Sequence, residues 1–368
     1  MSTTTANGQA TTAAPPPAFD EARLHEFVGR LLGDLGGAFS VSLVRLGDRL
    51  GLYKALRSHG PLTSEQLAAR AGIAERYARE WLAHQAASGY LAYDPPSGTF
   101  ALPEEQAMVF AEPDSPVYLQ GAFDSANAMM ENQALVEPAF RTGRGVGWGN
   151  QSQCLFCAVG RFFRPSYHNM LTSAWLPALD GVAARLERGA AVADIGCGHG
   201  FSTVIMAKAF PNSTFTGYDF HPDSVAQARR HAEAHGVAGN TSFEVALAGE
   251  FPGRDLDLVT CFDCLHDMGD PVGTARHVLG ALKPDGSWMI VEPAAGDRLE
   301  DNLNPVGRLF YAASTMICVP TSLDQPVGAA LGAQAGFARL SAVIREGGFG
   351  QVRKAAETPF NIILEARP

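Results

Sequence analysis

Three ionisable side chains follow directly on an apolar segment, in the stretch DCLHDMGD at 263–270. The preceding residues, LDLVTCF, have the composition of a buried strand, so this strand ends in Asp263, His266 and Asp267. Burying such groups is costly unless they are paired or used in chemistry. Because the ordinary pKa of histidine is about 6.5, a histidine beside a carboxylate is a suitable general base. The stretch is therefore a candidate for proton transfer.

A glycine-rich turn, VADIGCGHGFSTVIMAKAF at 192–210, joins a predicted strand to a predicted helix. Gly196, Gly198 and Gly200 let the backbone turn tightly and approach a ligand where the helix begins. Glycines of this kind first suggest a dinucleotide, but here the spacing is Gly-x-Gly-x-Gly, and Asp194 precedes it. An acid at this position would repel a pyrophosphate and suit a cationic or amine-bearing ligand. The turn therefore favours S-adenosylmethionine (SAM) over NAD.

A second acid, Asp219, ends the next predicted strand and lies 25 residues after Asp194. This interval is typical of an acid that reaches a ribose diol from the neighbouring strand. At this point residues 190–368 resemble the class I SAM-dependent methyltransferases. The resemblance implies that Asp194, Gly196 and Gly198 surround the methionyl part of SAM and that Asp219 binds the ribose hydroxyls.

Adenine recognition departs from the pattern of that family. Leu247 stands where the family often has an Asp that contacts the adenine amine, so the adenine is expected to rely on backbone near Ala248 and Gly249, or on Glu250. The expected cofactor contacts are Asp194, Gly196, Gly198, Gly200, Asp219, Phe220, Ala248, Gly249 and Asp263.

The stretch LHDMGDP…ALKPDGSWMIVEP is similar to the His-Asp-Trp-Ser-Asp region of the plant-type and hydroxyindole O-methyltransferases. Those proteins also carry a winged-helix dimerisation domain before the catalytic domain. The resemblance implies that His266 is the base, that Glu292 supports it and that Asp267 lies in the catalytic site. Met268 stands where the family usually has Trp. The whole chain from about residue 20 also resembles an actinobacterial winged-helix methyltransferase group.

The expected reaction is methyl transfer to an oxygen of a hydrophobic small molecule, with sulfur or nitrogen as less favoured acceptors. Proton transfer to an ordinary histidine is uphill by about 5 kcal/mol from a phenol and about 3 kcal/mol from a thiol. The stretch RTGRGVGWGNQ at 141–151 is a candidate lid. The expected substrate contacts are Met129, Phe162, Phe163, Tyr167, Met268, Tyr311 and Met316.

Strands and helices alternate from Ala190 onward, which predicts parallel strands with crossover helices. The last two segments, FGQVRKAAE and PFNIILEARP, stand too close for a crossover helix and should pair as an antiparallel hairpin. The predicted fold class is α/β: a Rossmann-like class I methyltransferase sheet, parallel with a terminal antiparallel hairpin, plus an N-terminal, mostly helical winged-helix domain. Strands are expected at 191–195, 214–219, 241–246, 256–262 and 287–292, and helices near 201–209, 223–236, 272–282, 305–317 and 336–346.

The N-terminal segment has helical periodicity, with two helices expected to break at Gly36-Gly37. The pattern that follows is helix, turn, helix and hairpin, which is typical of a winged helix; Thr63 or Ser64 should cap a helix that Gly72 ends. Between positions 19 and 110, nine Lys or Arg stand against eleven Asp or Glu. A DNA reader would usually have a basic face, so dimerisation or a place in the pocket wall is favoured.

A length of 368 residues suits two domains. The expected division is a disordered tail at 1–18, a winged-helix dimerisation domain at 19–110, a helical linker and substrate-pocket cover at 111–185, and a SAM-binding methyltransferase domain at 186–368. Neither a membrane span nor an export signal is recognised, so a cytoplasmic protein is expected. The winged-helix dimerisation domain predicts a homodimer. The net charge of −10 argues against nucleic acid as a partner.

The six cysteines suit reduced thiols, and no metal site is expected. Cys154, Cys157, Cys261 and Cys264 could in principle bind zinc, but the last two alternate in direction on a strand. Use of such thiols in an arsenic methyltransferase is a still weaker alternative. Two other functions stay open: a winged-helix transcriptional regulator that senses SAM or a small ligand through a non-catalytic domain, and a protein that only binds a ligand.

Overall fold

The computed structural model describes residues 19–368, and the expected tail at 1–18 lies outside the described residues. The described chain divides after Ser40 into two compact units, the second comprising residues 41–368. One continuous helix, α1 (Glu21–Arg49), contains Gly36 and Gly37, so the expected break there is wrong. Each glycine costs about 1 kcal/mol relative to alanine, which a helix of 29 residues tolerates.

Among the described residues, α1 is also the one helix whose length and hydropathy would suffice to cross a membrane. Core helices of soluble proteins and N-terminal signal sequences have the same property. The side chains of α1 before residue 41 are largely exposed and include Phe27, Leu32 and Phe39.

The predicted winged helix is present after α1. Thr63 accepts a hydrogen bond from the backbone N–H of Gln66, whose side chain accepts one from the Thr63 N–H, and Gly72 ends the helix with a left-handed φ of 65°. Tyr53 and Trp81 pack edge to face in the core of this domain. Its elements are α2 (Leu52–His59), α3 (Ser64–Ala71), α4 (Glu75–Ala87), β1 (Ala92–Asp94) and β2 (Thr99–Ala101).

The next region is helical, and it carries one wall of the site described below. Close packing positions it, because a Cβ on Gly121 would lie 2.4 Å from the backbone nitrogen of Phe162. The Arg161 guanidinium also binds Asp48 at 2.7 Å and Asp124 at 2.9 Å. The helices are α5 (Glu104–Phe110), α6 (Gln120–Glu131), α7 (Gln133–Thr142), α8 (Gln153–Met170) and α9 (Val182–Arg188), with a π-helical turn at Leu171–Trp175.

The C-terminal part forms a seven-stranded sheet. Its strands are β3 (Ala191–Ile195), β4 (Thr214–Asp219), β5 (Thr241–Val245), β6 (Leu256–Phe262), β7 (Leu282–Pro293), β8 (Gln351–Glu357) and β9 (Asn361–Arg367). Their order is β5-β4-β3-β6-β7-β9-β8, parallel from β5 to β7 and antiparallel at β9 and β8. The predicted parallel sheet with a terminal reversed hairpin is confirmed.

The crossover helices are α10 (Phe201–Ala209), α11 (Pro222–Ala234), α12 (Pro271–Ala281), α13 (Pro305–Ala313), α14 (Val319–Leu323) and α15 (Gly336–Glu346). A π-helical turn at Ser314–Cys318 separates α13 from α14, so the helix expected over 305–317 is interrupted. Successive strand residues serve opposite faces of the sheet: Leu258 belongs to the apolar cluster with Trp175, and Val259 to the cluster with Phe349. Both faces of the sheet are thus covered. The edge at the carboxyl ends of β3, β4 and β6 remains open to ligands.

Candidate active site

The turn between β3 and α10 holds three glycines in the left-handed region, with φ of 67° at Gly196, 53° at Gly198 and 74° at Gly200. A Cβ on Gly196 would lie 2.7 Å from Cys264 Sγ, so glycine is required for this approach to the end of β6. Gly196 and Gly198 line a cavity that extends from this turn to His266. Gly200 lies outside that lining, and a Cβ there would lie 2.9 Å from Phe243. Gly200 therefore allows close packing against Phe243, and its expected contact with the cofactor stays a prediction.

The two acids expected at the cofactor differ in their surroundings. Asp219 lines the cavity and accepts hydrogen bonds from the backbone N–H groups of Gly198 and His221, both at 2.9 Å. Asp194 lies outside the lining of the cavity, so its expected place at the methionyl part of SAM stays a prediction. Burial raises the pKa of its carboxyl to about 6, against the effect of its hydroxyl partners. Asp194 therefore stabilises the glycine turn from the protein interior, where it accepts hydrogen bonds from Ser202, Thr203 and Thr260.

His266 and Glu292 form a buried pair. His266 Nδ1 lies 2.5 Å from Glu292 Oε2, and Glu292 Oε1 accepts the backbone N–H of Leu265 at 2.9 Å. Only 3% of His266 and 1% of Glu292 is exposed. Burial by itself lowers the pKa of His266, but the carboxylates of Glu292 and Asp267 outweigh it and raise that pKa well above its ordinary value. The pairing leaves Nε2 on the side of the ring that faces Asp267, whose Oδ1 is 3.1 Å away.

Asp263 forms a second buried polar group next to this pair. Its backbone is left-handed, with φ of 51°. Its carboxyl accepts hydrogen bonds from the Tyr167 hydroxyl at 3.0 Å and from Asn361 Nδ2 at 2.7 Å. Burial and the nearby Glu292 raise the pKa of Asp263 well above its ordinary value. Asp263 and Tyr167 both line the cavity, so this group faces the ligand space between the glycine turn and His266.

One cavity of about 1150 Å³ joins the glycine turn to His266. Its lining is largely apolar on the side of α6, α8 and α13 and acidic on the side of the strands. The expected residues that line it are Met129, Phe162, Phe163, Tyr167, Gly196, Gly198, Asp219, Phe220, Ala248, Asp263, His266, Asp267, Met268 and Tyr311.

Three further expected contacts lie outside this lining. Met316 packs instead against a small apolar cluster with Phe310, because the π-helical turn changes the directions of side chains relative to an α-helix. Gly249 lies in a separate surface depression beside Arg254. Glu292 lies behind His266 and reaches the cavity only through it.

Several residues of the site were not expected from the sequence. Cys318 and Gln325 line the cavity near Asp267, and Gln325 Nε2 donates to the Asp267 carbonyl at 2.9 Å. Phe156 lines the cavity and stacks on His221 with ring centroids 4.9 Å apart. The sequence predicted Phe162, Phe163 and Tyr167 from the aromatic-rich region at 111–185, but not Phe156.

The loop expected as a lid is bonded to α14 in this structure. The Val146 N–H donates to the Pro320 carbonyl at 2.9 Å, and Gln151 Nε2 donates to Thr321 Oγ1 at 2.7 Å. A Cβ on Gly145 would lie 2.1 Å from the Asp324 nitrogen. The loop therefore packs against α14 beside the cavity, and its expected role as a lid stays a prediction.

Two family descriptions match the chain: "Methyltransferase domain" over residues 186–330 and "Rv2258c-like winged HTH domain" over residues 38–112. The ubiquinone biosynthesis O-methyltransferase of Xanthomonas euvesicatoria pv. vesicatoria is 37% identical over 115 residues, which are 30% of this chain and 47% of that protein. The chain thus matches about half the length of such curated relatives.

Solved structures share the fold over nearly the whole chain. A putative O-methyltransferase from Nostoc punctiforme has a TM-score of 0.69 at 18% identity, covering 92% of this chain and 98% of that one. Human N-acetylserotonin methyltransferase, solved in complex with SAM, has a TM-score of 0.66 at 19% identity, covering 96% and 99%. The chain therefore contains a methyltransferase domain preceded by an Rv2258c-like winged HTH domain, and it shares the fold of these solved methyltransferases.

Proposed function

We propose that this protein transfers a methyl group from SAM to a hydroxyl of a hydrophobic small molecule, with His266 as the general base. The observation that carries the proposal is the buried His266–Glu292 pair, which opens into the same cavity as the glycine turn. A thiol or an amine of similar surroundings is a less favoured acceptor.

The residues around the glycine turn fit SAM. Gly196 and Gly198 offer a surface without side chains, and Asp219 offers a carboxylate for the ribose hydroxyls. Phe220 and Ala248 would border the adenine. SAM supplies an electrophilic methyl group on a sulfonium, and the acidic side of the cavity suits that positive charge.

On the other side of the cavity, the chain binds the acceptor and removes its proton. Aromatic and Met side chains such as Phe162 and Met129 exclude water and contact an apolar ring. Glu292 orients the imidazole so that His266 Nε2 can accept the acceptor's proton. Because the pKa of His266 is raised, proton transfer from a phenol is less uphill than to an ordinary histidine.

A panel of phenols, thiols and amines, scored by formation of S-adenosylhomocysteine, identifies the acceptor class and tests the reaction. For the phenol or thiol that reacts, His266→Ala should lower turnover by about 10²- to 10⁴-fold. Calorimetry should find its SAM affinity nearly unchanged. His235→Ala, on the exposed end of α11, is the matched control. Unchanged turnover of His266→Ala would remove His266 from the base role.

We also propose a homodimer that uses α1. Exposed apolar side chains of its first part, among them Phe27, Leu32 and Phe39, support burial against a second copy. Light scattering should give twice the monomer mass, and Leu32→Glu with Phe39→Glu should shift the protein toward monomer. A single-chain mass for the wild type would refute the dimer.

The alternative, a transcriptional regulator, receives less support from the winged helix. On α4, Arg76 is paired with Glu80, and Arg79 with Glu75 at 2.9 Å. The helix that would enter a DNA groove therefore has its cations matched by acids. A mobility-shift assay at physiological salt separates the two functions, because nanomolar, sequence-specific binding would favour the regulator.

A further inference from the structure

We propose that His266, Asp267 and Cys318 form a binding site for a thiophilic divalent cation such as Zn²⁺, and that its occupation inhibits methyl transfer. The inhibition rests on the proposed function of His266, whereas the binding of the cation does not. The sequence predicted no metal site, and the cysteine pairs considered there do not include Cys318.

The three side chains come from two separate elements and converge at the cavity. His266 and Asp267 follow β6, and Cys318 ends the π-helical turn between α13 and α14. One potential ligand atom of each lies within 4.8 Å of those of the other two. In the part of the chain that the structure describes, this is the one such group of His, Cys, Asp or Glu.

The separations suit one small cation. Two ligand atoms on a tetrahedral Zn²⁺ lie about 3.3–3.5 Å apart. His266 Nε2 and Asp267 Oδ1 are 3.1 Å apart, close to that value. The thiol of Cys318 lies within 4.8 Å of the ligand atoms of the other two residues. All three residues line the cavity, so a fourth coordination position is open to water or to an acceptor.

The surroundings of the three ligands support the same reading. Asp267 Oδ1 is buried and, although it lies 3.1 Å from His266 Nε2, makes no hydrogen bond of acceptable geometry, so a cation would satisfy it. Glu292 holds His266 Nδ1, and a carboxylate on that nitrogen is the partner commonly found behind a metal-bound histidine. Nitrogen, oxygen and sulfur ligands together select a borderline-soft ion such as Zn²⁺ over Mg²⁺ or Ca²⁺.

Coordination and catalysis exclude one another at His266. The lone pair on Nε2 would bind the cation, and any proton on Nε2 and the proton of the Cys318 thiol would both pass to solvent as the metal–ligand bonds form. With its lone pair engaged, Nε2 can no longer accept a proton from the acceptor. Added chelator would restore that lone pair, so the inhibition should be reversible.

The test measures binding on the full chain without turnover. Zn²⁺ is titrated against a chromophoric chelator, and Co²⁺ is used as a probe because a cysteine ligand gives a near-ultraviolet charge-transfer band. Cys318→Ser and His266→Ala should each weaken Zn²⁺ binding by more than about 10-fold, and Cys318→Ser should abolish the band. Cys157→Ser, which changes an exposed thiol, should keep both.

Unchanged SAM binding by calorimetry shows that each variant is folded. If the wild type binds no Zn²⁺ at 100-fold excess, or if Cys318→Ser binds it as tightly as the wild type, the site does not exist. If Zn²⁺ binds through these ligands but the methylation assay is unaffected, the metal site stands and the role of His266 as base fails. If chelator reverses the inhibition of the wild type and Zn²⁺ does not inhibit Cys318→Ser, the result supports both the metal site and the role of His266 as base.

Discussion

Glu292→Gln is the most informative change at the site, because it keeps the shape of the side chain and removes its charge. The carboxylate serves two donors, Leu265 N–H at 2.9 Å and His266 Nδ1 at 2.5 Å. An amide has one oxygen and one NH₂ group. If its oxygen accepts from Leu265, its NH₂ faces Nδ1 and places the imidazole proton on Nε2, the nitrogen that must accept. If its oxygen serves Nδ1, the NH₂ opposes the Leu265 N–H.

Either arrangement has a calculable cost. Leaving a buried donor without a partner costs about 1–3 kcal/mol of folding free energy. Loss of the correct tautomer removes general base catalysis, which contributes about 10²- to 10⁴-fold in rate. We therefore expect Glu292→Gln to lower turnover nearly as much as His266→Ala. Since the carboxylate that raises the pKa of His266 is gone, the remaining activity should shift to lower pH.

The assay is initial-rate formation of S-adenosylhomocysteine across pH, together with thermal unfolding. Glu365→Gln is the matched control: Glu365 is 2% exposed, pairs with Arg367 at 2.9 Å, and lies four residues beyond Asn361 on β9, about 14 Å away. The Glu365→Gln change should lower the free energy of unfolding and leave turnover per folded molecule unchanged. A Glu292→Gln variant with wild-type turnover and pH profile would refute the assigned role of the pair.

Three further predictions test other parts of the molecule. Turnover of the wild type should increase as the pH passes through the raised pKa of His266, because only the neutral imidazole accepts a proton. A pH profile that stays flat or falls above the ordinary pKa of histidine would contradict this. Asp219→Asn should weaken SAM binding about 10- to 100-fold by calorimetry, since hydrogen bonds to charged groups contribute about 1.5–3 kcal/mol. Gly121→Ala should lower the free energy of unfolding by about 1–3 kcal/mol, because its Cβ would lie 2.4 Å from the Phe162 nitrogen. Gly280→Ala, where no atom lies within 4 Å, should be neutral or slightly stabilising, and equal unfolding temperatures for the two variants would refute the close packing.

Elements whose patterns are local were predictable. The alternating strands and helices, the Thr63 cap, the helix end at Gly72 and the hairpin of the winged helix depend on spacings of a few residues, and the structure has them. The helix over 21–49 was mispredicted at Gly36-Gly37, since a modest glycine cost was taken as a break.

Within the candidate site, the sequence alone identified the glycine turn, Asp219 at the end of β4, and the pairing of His266 with Glu292 through resemblance to known enzymes. These features depend on short motifs at the ends of strands, and the carboxyl ends of parallel strands meet at one edge of the sheet. Asp194 belongs to the same motif, but the local spacing does not reveal that this carboxyl is buried and accepts hydrogen bonds from three hydroxyls.

The tertiary structure alone decided which distant residues meet. Asn361 reaches Asp263 from the last strand, 98 positions away, and Cys318 reaches His266 because a π-helical turn interrupts the helix expected there. The same turn moves Met316 out of the cavity lining. Periodicity encodes which face of an element is buried but not how elements pack, since packing depends on contacts between residues far apart in the chain.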